Sequence, residues 1–381
     1  MKKFDYKKII YEKNLFFSKY FLPGYKAGGP IKSLYNMFFV KKIKKKSLIV
    51  TGDRDLNAEP YNNILFNKIL SKKNYNIIYL TKFKKTFLNF YNIIKNYNPD
   101  NILMNSFFDY YFSIKIIFIN YFFFKKKMIV FTRGELLPNA LKIKSFKKKL
   151  YLFFFKLLNF DKQIIFLTTS IEEKKKINSL FTFPKVHLIK MNLDSFDFAK
   201  KKDLNYKRKN FKILFASRIL PNKNLFLCFE ILDKVKFDFE FLIVGPIEDE
   251  QYWNKCKNYA KIKNIKYKYL GAKKNNDLMK IMKKSNCLLF PTKFESFSHI
   301  IAESLSNGLP VLTSSNTPWT KIKKNLNFYK SINISKLNNI NSFLNNLNNL
   351  KNCKLNRYVK IRNRCIVDLK KYLNTSEIIK N

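Results

Sequence analysis

Glycine is scarce in this chain, and where it stands limits the folds open to it. Only eight glycines occur in 381 residues: Gly24, Gly28, Gly29, Gly52, Gly134, Gly245, Gly271 and Gly308. Each falls at or near the end of a strand-like or helix-like segment, where a turn needs positive φ or close backbone approach. In the first half the pattern predicts strands near 14–19, 47–51, 76–80, 101–105, 127–132, 163–167 and 186–190. Helices are predicted near 30–40, 58–71, 84–96, 107–123, 144–158 and 170–180. In the second half strands fall near 211–216, 239–244, 265–270, 287–290 and 310–313. Helices fall near 223–235, 250–261, 275–284 and 298–307, and the Asn- and Lys-rich tail from about 335 reads as helical. Such alternation predicts parallel sheets with crossover helices.

At this length, with 46% hydrophobic residues, two domains with full cores are expected. The polar segment 195–210 is the best linker. The expected domains are 1–195, 196–355 and a C-terminal helix, 356–381, with the option of crossing back to the first domain. Five cysteines, odd in number and without a CxxC, read as reduced core residues of a cytosolic protein. Two histidines, His187 and His299, exclude a His-rich metal site. The first 20 residues are charged throughout, unlike a signal peptide. The most apolar window, 107–124, contains Asp109, Lys115 and Asn120, which argues for a buried or membrane-surface helix over a spanning one.

Lys and Arg total 75 against 26 acids, a formal charge of +49. The residues in excess (Lys, Asn, Ile, Phe, Tyr) share A/T-rich codons, so genome composition is as good a source of the charge as selection for a polyanion. Lys far exceeds Arg, whereas nucleic-acid readers lean on Arg for bidentate contacts. Whatever its origin, the field attracts anionic membranes and anionic substrates.

Four constellations carry chemistry. Gly28-Gly29-Pro30 follows the first strand. Exposed N–H groups and a helix start make a diphosphate cradle, or simply a tight strand-to-helix turn. In Ser217–Asn224, Arg218 ends a strand and Lys223 opens the next helix, so both cations can converge on one anionic group at the sheet's carboxyl edge. Glu295 and Glu303 form an E-x7-E pair. Glu295 lies in the loop after the strand Cys287–Phe290, and Glu303 on a helix that Ser298 is expected to cap. An isolated pair of this kind is ordinarily two surface glutamates. At a strand's carboxyl end, however, such carboxylates suit sugar hydroxyls, since each only accepts hydrogen bonds. The amides of Ser296, Phe297 and Ser298 are also available there. Finally, Arg133-Gly134-Glu135 ends a strand of the first half. It reads as an acceptor-side group or as a structural Arg–Glu pair.

The ordered motifs AGGP, ASRILPNKN, LIVGPIED, YLG, FPTKFESFSHIIAESLSNGLPVLTS and SNTPW resemble the retaining glycosyltransferases of family 4. The run RGELLPNALKIKSFKKKL resembles that family's polysaccharide-assembly members. The resemblance implies an α/β GT-B fold, with two Rossmann-like domains facing each other across a donor-binding cleft. It implies transfer of a sugar from a nucleotide-sugar donor to a saccharide or lipid-linked saccharide acceptor in cell-surface polysaccharide or lipopolysaccharide synthesis. It sets Gly28, Gly29, Gly245 and Gly271 in the donor-binding set, with Ser296, Phe297 and Ser298. Arg218 and Lys223 are then the diphosphate-neutralising residues, Glu295 the donor-sugar contact and Glu303 the ribose contact. The catalytic set is Arg218, Lys223 and Glu295. No metal and no cofactor are expected, and no specific nucleic acid. The expected place is cytoplasmic, peripheral on an anionic membrane surface at the inner face of the plasma membrane. Two departures from the family bear on donor-sugar geometry. Ser296 and Ser298 stand where Gly is common, and Lys190-Met191-Asn192 replaces a Pro-Asn-Gly-type turn. Two other readings share parts of this pattern: a basic membrane- or nucleic-acid-binding protein, and a sugar-nucleotide epimerase on the same fold.

Overall fold

A computed structural model describes residues 12–38, 47–142, 145–189, 198–200, 204, 210–328 and 330–378. The chain divides into two compact units, Met1–Asn192 and Leu193–Asn381. The second includes the terminal helix that sequence sets apart as 356–381.

The first unit is built on β1 (Asn14–Ser18), β2 (Ser47–Gly52), β3 (Ile69–Ser71), β4 (Tyr75–Leu80), β5 (Asn101–Met104), β6 (Lys127–Phe131), β7 (Ile164–Thr168) and β8 (Lys185–Leu188). They form one sheet in the order β3-β4-β2-β1-β5-β6-β7-β8, parallel throughout except for β3. The helices are α1 (Gly29–Phe38), α2 (Phe87–Tyr97), α3, α4 (Pro138–Lys142), α5 (Ser145–Leu157) and α6 (Ile171–Leu180). Helix α3 runs as Tyr110–Ile114, Lys115–Ile119 and Asn120–Phe124, with π geometry in the outer segments.

The central strands are near-continuous apolar runs because both faces are covered. With a side-chain period of two, successive residues enter different cores. Leu15 and Phe17 join Val50, Met104, Phe112 and Phe155 on one side. Phe16 joins Ile49, Leu103, Ile129 and Leu34 on the other.

The helix expected over 58–71 does not form. Asn57, Asn63 and Asn67 all adopt positive φ, a conformation that Asn tolerates and that ends any helical run. The chain instead loops and enters β3, which pairs antiparallel with β4 at the sheet edge (Ile69 opposite Ile78).

In the second unit β9 (Phe211–Ala216), β10 (Phe239–Val244), β11 (Tyr267–Tyr269), β12 (Cys287–Phe290), β13 (Val311–Ser314) and β14 (Ile332–Ser335) form a parallel sheet in the order β11-β10-β9-β12-β13-β14. This is the doubly wound order, and the connections reverse direction on either side of β9. The helices are α7 (Leu225–Leu232), α8 (Glu250–Ile262), α9 (Asn275–Lys284), α10 (His299–Ser306), α11 (Trp319–Leu326), α12 (Ile340–Asn352) and α13 (Leu355–Ile378). Helix α11 and strand β14 have no counterpart among the elements predicted from sequence. Helix α13 packs on α10 and α11. Its buried Arg362 donates from Nε to the Gly308 carbonyl (3.0 Å) and from Nη2 to that of Lys283 (2.9 Å).

The expected linker 195–210 is described only at Phe198–Lys200, Leu204 and Asn210, and the turn Lys190-Met191-Asn192 lies outside the described residues. Ala199 and Leu204 are buried with Ile366, and Ala199 N–H donates to the Ser306 carbonyl (3.0 Å), so these parts belong to the second unit's core. Among the described residues no helix is long and apolar enough to cross a membrane.

Gly245 is the most constrained glycine. A Cβ there would stand 1.7 Å from the Ser217 carbonyl oxygen, and its φ is +147°. Gly245→Ala should therefore cost about 3 kcal/mol or more through clash and backbone strain. Gly271→Ala has positive φ but open space, so it should cost only about 1–2 kcal/mol. Urea unfolding checks this, and equal midpoints for the two variants would contradict it.

Candidate active site at the carboxyl edges of the sheets

In the second unit the chemistry gathers where β9, β10 and β12 end. The loops there are stitched together by backbone bonds. Ser217 N–H donates to Val244 C=O (2.9 Å), and Ile219 N–H to Pro246 C=O (2.8 Å). On the other side Lys293 N–H donates to Asn222 C=O (2.8 Å), Asn222 Nδ2 to Phe294 C=O (3.2 Å) and Asn224 Nδ2 to Pro291 C=O (3.0 Å). Asn224 can make this bond because it adopts the left-handed conformation between a 3₁₀ turn, Pro221–Lys223, and α7. Gly245 N–H donates to Gly271 C=O (3.0 Å), and the Tyr269 hydroxyl to Gly245 C=O (2.9 Å). The two glycines thus shape the β10 and β11 ends.

On this frame the two cations take separate partners. Arg218 Nη1 donates to Glu248 Oε2 at 2.8 Å, and both side chains are about one-third exposed. Lys223 Nζ pairs with Glu295 Oε1, with both side chains largely buried, and lies over the Phe290 ring. Thr292 Oγ1 donates to the same Glu295 oxygen (3.2 Å). The sequence reading has Arg218 and Lys223 converging on one anion. They share one sheet edge, but a carboxylate stands beside each. Glu248 was not singled out from sequence, although it lies in the LIVGPIED motif, in the loop that follows the strand-ending Gly245. A partly buried ion pair is stronger than a solvated one, so the Lys223 ammonium and Glu295 carboxylate hold each other in place. Glu295 Oε2 keeps acceptor capacity for a hydroxyl.

Ser298 does not cap α10 as expected. It takes φ +70°, makes no capping bond, and its buried Oγ has no partner among the described atoms. The left-handed turn directs the chain into the helix and brings Phe297 into the core. There the Phe297 ring meets Trp319, whose Nε1 donates to the Phe297 carbonyl (2.6 Å). Phe297 is therefore a wall of the loop as well as part of it. Glu303 sits in the second turn of α10 and is buried.

In the first unit Gly28 has φ +73° with open space around its Cβ position, and Gly29 starts α1. That gives a half-buried helix N-terminus at the β1 end, the geometry that favours anions. Asn105, just past β5, donates to Ser18 Oγ (3.1 Å) and to Pro30 C=O (3.3 Å), tying this loop to the sheet. Arg133 has φ +53°, lies over the Phe131 ring and donates from Nε to Asn105 Oδ1 (2.9 Å). Burial lowers its pKa to about 10.

A direct Arg133–Glu135 pair is absent among the described residues. Glu135 accepts instead from Ser106 Oγ (2.7 Å) and from the amides of Phe107 (2.7 Å) and Phe108 (3.0 Å). It is a structural clamp on the loop before α3. A second buried carboxylate, Glu173, was not anticipated. It accepts from the amides of Gly134 (3.1 Å) and Leu136 (3.2 Å) and from Thr168 Oγ1 (2.6 Å), holding the Arg133 turn from behind. No group of three His, Cys, Asp or Glu side chains among the described residues is arranged to hold a metal ion.

Comparison with known proteins bears on this arrangement. The profile of the family described as Glycosyl transferases group 1 matches residues 196–366. An Escherichia coli protein, UDP-Gal:alpha-D-GlcNAc-diphosphoundecaprenol alpha-1,3-galactosyltransferase, is 30% identical over 185 residues. That match covers 44% of this chain and 46% of the relative, so it spans about half of each. Among solved structures, Anabaena Alr3699/HepE in complex with UDP and glucose superposes with a TM-score of 0.69 at 12% identity, covering 97% of this chain and all of that one. Sucrose-phosphate synthase from Thermosynechococcus elongatus gives 0.66 at 12% identity, covering 96% and 98%. At these identities the likeness shows the fold, which is GT-B.

Glu173 supplies a test of the first unit's framework. Glu173→Ala leaves three buried donors unpaired, at about 1 kcal/mol or more each, so the thermal midpoint should fall clearly. Burial raises the Glu173 carboxyl above its ordinary value. The folded state then holds that proton longer than the unfolded chain does. The resulting stability is fully present below the unfolded pKa and is lost as pH rises through the folded one. Glu173→Gln should flatten that pH dependence, and an unchanged slope would show that the group does not titrate as described.

Proposed function

We propose that this protein is a retaining glycosyltransferase, a reading supported by the match of residues 196–366 to the profile of the group 1 glycosyl transferases and by the GT-B fold. The observation that carries the reading is the pair of cation–carboxylate contacts, Arg218–Glu248 and Lys223–Glu295, at the carboxyl edge of β9 and β12. A donor sugar nucleotide presents two chemistries, a diphosphate and a ring of hydroxyls. The edge carries one kind of group for each.

In this reading the bond between the anomeric carbon and the phosphate oxygen breaks, and negative charge grows on the nucleoside diphosphate. Arg218 and Lys223 oppose that charge from loops whose backbones are already stitched, so little reorganisation is needed as it develops. Glu248 and Glu295 hold the cations in position. Glu295 Oε2 accepts from a donor-sugar hydroxyl, and Glu303 from the ribose. The acceptor hydroxyl attacks from the leaving-group face and passes its proton to the departing phosphate oxygen, so no dedicated base is called for. The cations do the work that a divalent metal does elsewhere, so we propose metal-independent turnover.

The E. coli relative's name supports a UDP-sugar donor and a lipid-diphosphate-linked saccharide acceptor, and the UDP in the Anabaena structure supports the same nucleotide. Arg133, held by Asn105, is proposed to meet the acceptor side. A lipid-linked acceptor puts the enzyme at the cytoplasmic face of a membrane, in cell-surface polysaccharide assembly.

The reading is tested by thermal stabilisation with UDP-, GDP- and dTDP-sugars, where a UDP-sugar should raise the midpoint most. Arg218→Ala and Lys223→Ala should each lower transfer by about 2–4 kcal/mol of transition-state stabilisation. Near-normal turnover in both would sink the assignment. Turnover should also persist in EDTA. Complete loss that magnesium or manganese restores would overturn the metal-independent step while leaving the donor site standing.

A further inference from the structure

Among the described residues, nothing covers the outward face of α5. The helix packs its inner face into the core: Leu152 and Phe155 are buried, and the Phe155 ring packs against those of Phe107, Phe160, Phe166 and Phe181. Yet Phe146, Leu150, Phe153 and Leu157 are 79%, 50%, 61% and 63% exposed. Their spacing of four, three and four residues puts them in one stripe along the helix. Lys147, Lys149 and Lys156, all exposed, flank that stripe, while Lys148 turns inward to the Ala140 carbonyl (2.6 Å).

The stripe continues beyond the helix. The Tyr121 hydroxyl donates to the Leu158 carbonyl (3.0 Å), and beside it Phe122 and Phe123 of α3 are exposed. Phe123 in turn stands edge-on to the exposed Phe87 of α2. Between residues 110 and 160 the sequence has a single acid, Glu135, and its carboxylate is taken up by Ser106 and two backbone amides. An aromatic stripe edged with lysines and lacking exposed carboxylates complements a surface that is apolar below and anionic above. A second copy of this chain would set lysines against lysines, in a protein already at +49.

We propose that α5 is the membrane-seating element of this protein. It lies in the plane of an anionic bilayer, with Phe146, Leu150, Phe153 and Leu157 at the acyl boundary and Lys147, Lys149 and Lys156 among the head-group phosphates. This deepens the membrane placement proposed above and rests on that reading, but not on the donor chemistry.

The test is flotation of the full chain with vesicles of phosphatidylcholine alone and of phosphatidylcholine with phosphatidylglycerol, at low and high salt. The parent should bind only the anionic vesicles and be released by salt. Phe146→Ser with Phe153→Ser should lower partitioning at least about tenfold, since each loses a buried aromatic. Lys147→Gln, Lys149→Gln and Lys156→Gln together should lower it on the order of a hundredfold. Both variants change exposed positions only and should keep the parent's melting midpoint and its stabilisation by UDP. Parental binding by either variant, equal binding of the parent to both vesicles, or no binding at all overturns the proposal. So does a concentration-dependent dimer that the Phe changes abolish, which would give the face to a second copy. A parent that binds vesicles but shows no response to UDP would fail the donor reading alone.

Discussion

The arrangement of the second unit depends on β9 lying between β10 and β12. Because the chain winds outward from that strand in both directions, the loops leaving β9, β10 and β12 part at its carboxyl end and leave room for side chains between them. The same position lets those loops hydrogen-bond to one another. Ile219 bonds to the β10 loop and Asn222 to the β12 loop, so the segment from Ser217 to Asn224 is held on both sides. The charged groups are therefore mounted on backbone that is already ordered. Gly245 belongs to the same constraint, since the Ser217 carbonyl passes where any side chain would be.

Electrostatics in this protein is decided by position more than by amount. Basic residues outnumber acidic ones 75 to 26, yet ion pairs such as Lys280–Asp277 and Lys268–Glu240 have exposed lysines and are weak. The Lys223–Glu295 pair differs because both side chains are largely out of solvent. Glu135 and Glu173 differ in another way. Their carboxylates are spent on backbone amides and hydroxyls, and they shape the turn that carries Arg133. Three acids of similar type in sequence thus do different work, and the distinction arises from which loop passes nearby.

The aromatic residues divide in the same manner. A run such as FFF can be core or surface, and composition does not say which. On α5 the helical period sends Phe155 inward to a cluster of rings and Phe153 outward to solvent, two residues apart. The lysines follow: three line the outer stripe, and one folds back on a carbonyl.

Much of the fold was legible in the order of residues. Apolar runs of strand length, helical periods between them and glycines at the joins imply parallel sheets, because each signal is local and repeats along the chain. The GT-B fold class followed from that alternation with the ordered motifs. Local reasoning failed at 58–71, where three Asn residues in left-handed conformation turned an expected helix into a loop and an edge strand. It also failed at Ser298, a good capping residue by type that the turn toward Trp319 holds at positive φ. Arg218, Lys223 and Glu295 could be singled out from sequence, since each stands beside a strand end or helix start, and Glu303 by its spacing from Glu295. That Arg218 meets Glu248, that Lys223 meets Glu295 and that Arg133 meets Asn105 was decided only by tertiary structure. Partners separated by 28 to 72 positions are chosen by which strands lie side by side, and a single chain of residues does not record that order.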